Sequence, residues 1–390
     1  MSYCKPTTRE FPFWAMFCLF PFISIITWVT KGQDIVNYDL FWIPFTALLC
    51  VYTVFQVKSW SKKYTKYIFL FATLCLLKYV IPIGGGHISL NASLMDGKWF
   101  VYLLATALWI YNFGTPRIDR VYRYCIFFCC IYICKALYMI ATGTLSRAGV
   151  LMEANYDGFM VLMIYCFSCV VKDKKKWWDW LIILTTLLTF SRTGWASLFV
   201  IFCYRIFKKN ILYLLLLLPI VYFLIQLGAD LRGESASNMD RFVYWRQAFL
   251  YFEETSLSNV LLGSTPGVAL KIHIIPEFAW TVSNFEEMRN LSGVYPFMFH
   301  STYLRLAITW GIFGTLAYLF VFVKYFFKSK YMPLKYLCLI TLIQSFSLSA
   351  LTLQNVSFLL FVLLVMAWNE DYKLRREMKL QAYRLSMSKI

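Results

Sequence analysis

Charge is scarce in this chain. Only 15% of its 390 residues are Asp, Glu, Lys or Arg, against about a quarter in soluble globular domains. Hydrophobic residues make up 60%, and the mean hydropathy is +0.60. A soluble enzyme of that composition would aggregate, so a water-soluble fold is disfavoured. Histidine is rare too, with three in the chain. The sequence has no Walker loop, no dinucleotide-binding glycine pattern, no zinc-ligand spacing and no Asp-x-Asp pair near the external face proposed below. Nucleotide-driven chemistry and a resident metal or other cofactor are therefore not expected, and the energy for any reaction must come from the substrate. None of the 12 cysteines lies in 228–300, which argues against a disulfide framework there. Cys125, Cys129, Cys130 and Cys134 share one apolar run, where helix packing is favoured over a metal site. No period of 20–50 residues recurs, and the two halves show no similarity, which counts against a transporter built from repeats.

What the chain does have is apolar runs near 20 residues, the length that crosses a bilayer core as a helix. They predict an all-α polytopic membrane protein with about twelve spans, at 11–29, 38–57, 67–83, 99–114, 124–142, 156–171, 177–190, 193–207, 211–228, 303–323, 334–351 and 354–368. Phe11–Val29 reads as a retained first span rather than a cleaved signal. The net charge of +18 is distributed in short blocks between these runs, such as Lys172, Lys174, Lys175 and Lys176. That is a positive-inside pattern and not a nucleic-acid-binding face. It predicts cytoplasmic termini and four regions: spans in 1–227, a large external loop in 228–300, further spans in 301–368 and a cytoplasmic tail in 369–390, a solvated or surface-lying helix. Within the loop, Asp240–Phe252 places Phe242, Trp245 and Phe249 at helical spacing, an amphipathic helix lying on the membrane or on the other helices.

Four groups of polar residues fall on the predicted external face. Ser191-Arg192-Thr193-Gly194-Trp195 occupies a tight turn between spans. An Arg at the hydrocarbon edge needs an anionic partner, either a lipid headgroup or a substrate. Arg241 and Arg246 flank Tyr244 and Trp245, upstream of Leu261-Leu262-Gly263; guanidinium forks among aromatics suit a diphosphate held beside a lipid. His300-Ser301 precedes Gly311-Ile312-Phe313-Gly314, glycines that allow close helix packing, and Arg305 lies about one turn past His300. Arg147 and the segment Glu153–Gly158 form a fourth, weaker group, more simply read as a loop. Lys78 and Lys135 are the basic residues well inside spans.

The first three groups, in this order, resemble the signature of the O-antigen ligase and O-antigen polymerase superfamily. The patterned part covers about 190–320, and the earlier residues are similar only in topology. Ser301 stands where Asn is frequent in the family, a tolerated departure. The resemblance implies a GT-C-like membrane glycosyltransferase of the bacterial inner membrane, with its active site facing the periplasm and a glycan on undecaprenyl diphosphate as donor. Arg192 and one of Arg241 and Arg246 would bind the diphosphate, His300 would act at the acceptor hydroxyl, and Arg305 and Arg147 would be accessory. The expected reaction is metal-independent and inverting. The first reading is a surface-polysaccharide polymerase that moves the growing glycan onto the next lipid-linked repeat unit, with a chain-length regulator as a further partner. The alternatives are an O-antigen ligase, whose acceptor is the lipid A core, and a flippase for lipid-linked glycans.

Overall fold

The computed structural model describes residues 8–31, 38–55, 63–82, 89–143, 149–206, 240–272, 275, 278, 293–351 and 353–387. The expected span 211–228 and Arg147 lie outside them. The described residues are helical throughout, apart from turns and one isolated bridge between Leu270 and Val294. Helix α1 runs from Thr8 through a 3-10 turn, a short α turn and a π turn (Ala15–Leu19) into Phe20–Lys31. Helices α2 (Asp39–Phe55), α3 (Lys63–Val80), α4 (Leu90–Phe113), α5 (Ile118–Ala141), α6 (Ala154–Tyr165), α7 (Lys176–Leu188) and α8 (Arg192–Ile206) follow. After the undescribed segment come α9 (Asp240–Glu254), the short α10 (Leu257–Leu262), α11 (Thr302–Lys328), α12 (Met332–Gln344) and α13 (Gln354–Met387).

Every expected span except 211–228 coincides with one of these helices, because an apolar run beside lipid must satisfy its backbone internally. Three helices among the described residues are long and apolar enough to cross a bilayer: Thr8–Thr30, Ile118–Ala141 and Thr302–Lys328. Several boundaries differ from the sequence reading: α4 begins at Leu90, ahead of the expected 99, and the run 156–171 leaves the helix after Tyr165. The run 334–351 stops being helical at Gln344, and 345–350 forms a turn. The tail does not separate from the last span; the 34-residue α13 runs unbroken from Gln354 into it, as far as Met387.

The core is aromatic. Trp42 packs on Phe358 at 4.5 Å and donates its indole N–H to Asn355 Oδ1 at 2.7 Å, joining α2 to α13. Gly97 lets α4 press against the Tyr79 ring of α3, where an added Cβ would lie 2.9 Å from the ring. Buried charges are engaged, as low-dielectric burial requires. Glu10 pairs with Arg120 at 3.1 Å. Lys135 donates to Gly149 O at 2.6 Å and lies over the Trp28 ring. Asp157 accepts from the Val150 and Leu151 amides. Of the clustered cysteines, Cys125 and Cys129 are buried while Cys130 and Cys134 are exposed.

Helix α11 is broken inside. Gly311 has φ +67° and ψ −170°, and the helix resumes beyond it. The chain of α10 lies against the break: a Cβ on Gly311 would meet Leu261 O at 2.2 Å, and one on Gly263 (φ +88°) would meet the Thr309 backbone at 2.3 Å. The break frees carbonyls that a continuous helix would cover, and side chains from elsewhere take them. Ser264 donates both its amide (2.7 Å) and its hydroxyl (2.9 Å) to Ile308 O. Lys78 donates to Thr309 O at 2.7 Å and sits 3.9 Å from the Trp310 ring centre. A lysine inside an apolar helix thus serves as a carbonyl cap.

Candidate active site

The turn between α7 and α8 is tight. Phe190 adopts φ +48°, unusual for a bulky residue. Ser191 caps α8 by accepting from the Gly194 amide at 3.1 Å, and Trp195 donates its indole N–H back to Leu187 O at 3.1 Å. Arg192 is then the first residue of α8 and half-buried. A cation at a helix N-terminus opposes the helix dipole, by about 0.3–1 kcal/mol. An anion docked there reverses the sign, because the dipole and the guanidinium then attract the same charge.

Helix α9 forms where the sequence predicts an amphipathic helix, and a second face, not read from the sequence, enters the protein. Tyr244, Ala248 and Tyr251 are buried, whereas Phe242 and Phe249 remain exposed. The reason is aromatic packing: the Tyr244 ring lies 5.2 Å from Phe278, 6.1 Å from Phe299 and 5.6 Å from His300. Arg246 projects from the exposed side. The side chain of Arg241 lies outside the described residues.

His300 is half-buried at the mouth of α11. Ser301 caps that helix, accepting from the Leu304 amide and donating to Ser345 O at 3.1 Å. On the other side of His300, Phe299 O accepts from Ser349 Oγ at 2.9 Å. The imidazole is therefore carried by a backbone pinned on both flanks. Arg305 is deeper in α11, buried, with Nη2 3.4 Å from Asp96 Oδ1 of α4. That pair joins α11 to α4.

All these segments meet one element that the sequence reading ran through as plain helix, the last residue of α12 and the turn after it, called below the 344–350 turn. Gln344 Nε2 donates to Ser197 Oγ of α8 at 3.0 Å, and Ser347 donates to Thr193 beside Arg192 at 3.2 Å. Phe346 stacks on Trp245 of α9 at 4.9 Å, and its carbonyl accepts the indole N–H at 3.4 Å. Ser345, Leu348 and Ser349 hold the residues on either side of His300, Leu348 O accepting from both the amide and the hydroxyl of Thr302. The turn thus brings the Arg192, Trp245 and His300 segments into one junction. The only sequence signal was a serine at every second position, Ser345, Ser347 and Ser349, in an otherwise apolar run.

Apolar helices, capped internal carbonyls and a polar junction at one end of the bundle define an all-helical integral membrane protein. Residues 177–319, from α7 into α11, match the sequence profile of the O-antigen ligase family. That matched segment supports the O-antigen ligase and polymerase superfamily, whose members are glycosyltransferase-like enzymes. No curated protein and no solved structure matches the chain.

Proposed function

We propose that the junction is the active site of a glycosyltransferase that uses a lipid-diphosphate-linked glycan, undecaprenyl diphosphate being the carrier the family implies. The observation that supports this reading is the 344–350 turn, which bonds to Thr193, Trp245 and Ser301, residues on the segments that carry Arg192, Arg246 and His300. Arg192, with Arg241 or Arg246, neutralises the diphosphate. His300 accepts the proton of the acceptor hydroxyl as its oxygen bonds to the anomeric carbon. The bond from that carbon to the diphosphate breaks, and the lipid diphosphate departs. A single displacement inverts the anomeric centre, and stabilised leaving-group charge supplies much of the acceleration.

The acceptor we favour is the next lipid-linked repeat unit, which makes the protein a polysaccharide polymerase. The name of the matching family favours the second reading, transfer to lipid A core. Purified protein given lipid-linked donor and either acceptor, with and without a chelator, decides between them. Product from the repeat unit marks a polymerase, product from core marks a ligase, and chelator should leave the rate unchanged. His300→Ala should slow turnover by roughly 10²–10⁴ with donor binding retained, and Arg192→Lys, which loses the bidentate fork, should weaken donor binding. If neither acceptor reacts while the protein moves lipid-linked glycan across vesicles, the flippase replaces the enzyme.

In this reading the chain crosses the bacterial inner membrane about twelve times, with both termini cytoplasmic and the junction on the periplasmic side. In a cysteine-free background, a cysteine at exposed Ser258 should react with an impermeant thiol reagent in cells with a permeabilised outer membrane, and one at exposed Lys373 should not. The opposite pattern inverts the orientation.

A further inference from the structure

Far along α11 from Gly311, its last turns meet α13 around a cavity of about 150 Å³. Three cations line it: Lys324 and Lys328, one turn apart on α11, and Arg375 of α13. The one carboxylate in the lining is occupied. Asp371 Oδ1 accepts from Ser329 Oγ (2.8 Å) and from the Lys330 (2.6 Å) and Tyr331 (3.1 Å) amides, and Oδ2 pairs with Arg375 Nη2 at 2.7 Å. The cavity therefore keeps an excess of positive charge. Arg375 Nε is buried and has no hydrogen-bond acceptor among the described residues. Trp368 and Tyr325, 5.1 Å apart, form an aromatic wall where the apolar run of α13 gives way to Asn369 and Glu370. Trp and Tyr at that level mark the membrane–water boundary.

We infer that this cavity binds the phosphate of an anionic phospholipid headgroup. A phosphodiester fits the chemistry, with one anionic oxygen toward Lys324 and Lys328 and another toward Arg375. The adjoining surface says why the phosphate should belong to a lipid. Phe320, Val323 and Phe327 are exposed on α11 directly beside the two lysines, an apolar track for an acyl chain that free phosphate would leave unused. The site is separate from the junction that carries the transfer chemistry, so its fate does not depend on that reading.

The test is native mass spectrometry and thermal melting of the purified full-length protein in detergent, titrated with phosphatidylglycerol, phosphatidylcholine or inorganic phosphate. Phosphatidylglycerol should bind and raise the melting temperature, and the other two should not. Lys324→Gln/Lys328→Gln, at exposed positions that leave the Asp371 clamp intact, should weaken phosphatidylglycerol binding by about tenfold or more. Equal binding of phosphatidylcholine, or undiminished phosphatidylglycerol binding by the double variant, overturns the proposal. Protection by inorganic phosphate alone, lost in the double variant, replaces the lipid with a soluble anion and overturns it as well.

Discussion

Helices α11 and α13 are long and both begin at the polar junction, yet one is broken and the other is not. Three conditions coincide at the break in α11. Gly311 accepts a positive φ that an L side chain resists, the Leu261–Leu262 backbone fills the space where a Cβ would stand, and Ser264 and Lys78 take the exposed carbonyls. Across its 34 residues α13 has no glycine and no proline and, among the described residues, no outside donor to its backbone carbonyls, and it stays continuous. Beside lipid, a helix opens only where other parts of the protein satisfy what it exposes. A glycine alone is not sufficient: Gly314, one turn on, keeps helical geometry.

The comparison can be broken most severely at Gly311. Gly311→Ala should impose about 1–3 kcal/mol of backbone strain and a clash with Leu261 O in addition, lowering the melting temperature and membrane abundance sharply. An unchanged melting curve would mean that α11 does not need its break. The next largest effect should come from Lys78→Met, which keeps length and removes the donor. Loss of a charged hydrogen bond to the Thr309 carbonyl should destabilise by about 1.5–3 kcal/mol, read as a lower melting temperature in detergent, with Lys78→Arg recovering part of it.

The smallest effect sharpens the α13 side. Burial raises the pKa of the Asp371 carboxyl, but donors from Ser329, Lys330, Arg375 and Tyr331 outweigh it and hold the group below the usual carboxylate range. A lowered native pKa stabilises the fold above the unfolded-state value, about 3.9, and that contribution fades as pH falls through the native value. The Lys330 and Tyr331 amides should therefore stay protected from hydrogen exchange at pH 5 and lose protection only below about pH 4. Asp371→Asn should expose them at both values.

The helices were legible because apolar runs flanked by basic blocks leave few other structures available to a chain in lipid. Arg192 and His300 drew attention because they stand where apolar runs begin, and Arg246 because it lies among aromatics in the long loop. The break at Gly311 was half-legible: the glycine announced close approach, but φ +67° depends on α10 arriving from fifty residues away in sequence. The 344–350 turn was missed because its contacts run through serine hydroxyls and backbone carbonyls, and small residues in an apolar run also suit an ordinary membrane helix. The buried side of α9 was not legible for a related reason. Tyr244, Ala248 and Tyr251 look less apolar than Phe242 and Phe249, and the partners Phe278 and Phe299 that bury them are distant in sequence.

The 344–350 turn has a consequence for genetics. Its serines carry no charge and take part in none of the proposed bond-making steps, yet they hold the segments that do. In a mutant hunt scored on product alone, a lesion at Ser345, Ser347 or Ser349 would be mistaken for loss of the enzyme's reactive groups. The distinction lies in suppressors: misplaced segments can be restored by second changes in Thr193, Trp245 or Thr302 across the turn, whereas a missing imidazole cannot be restored from any neighbour.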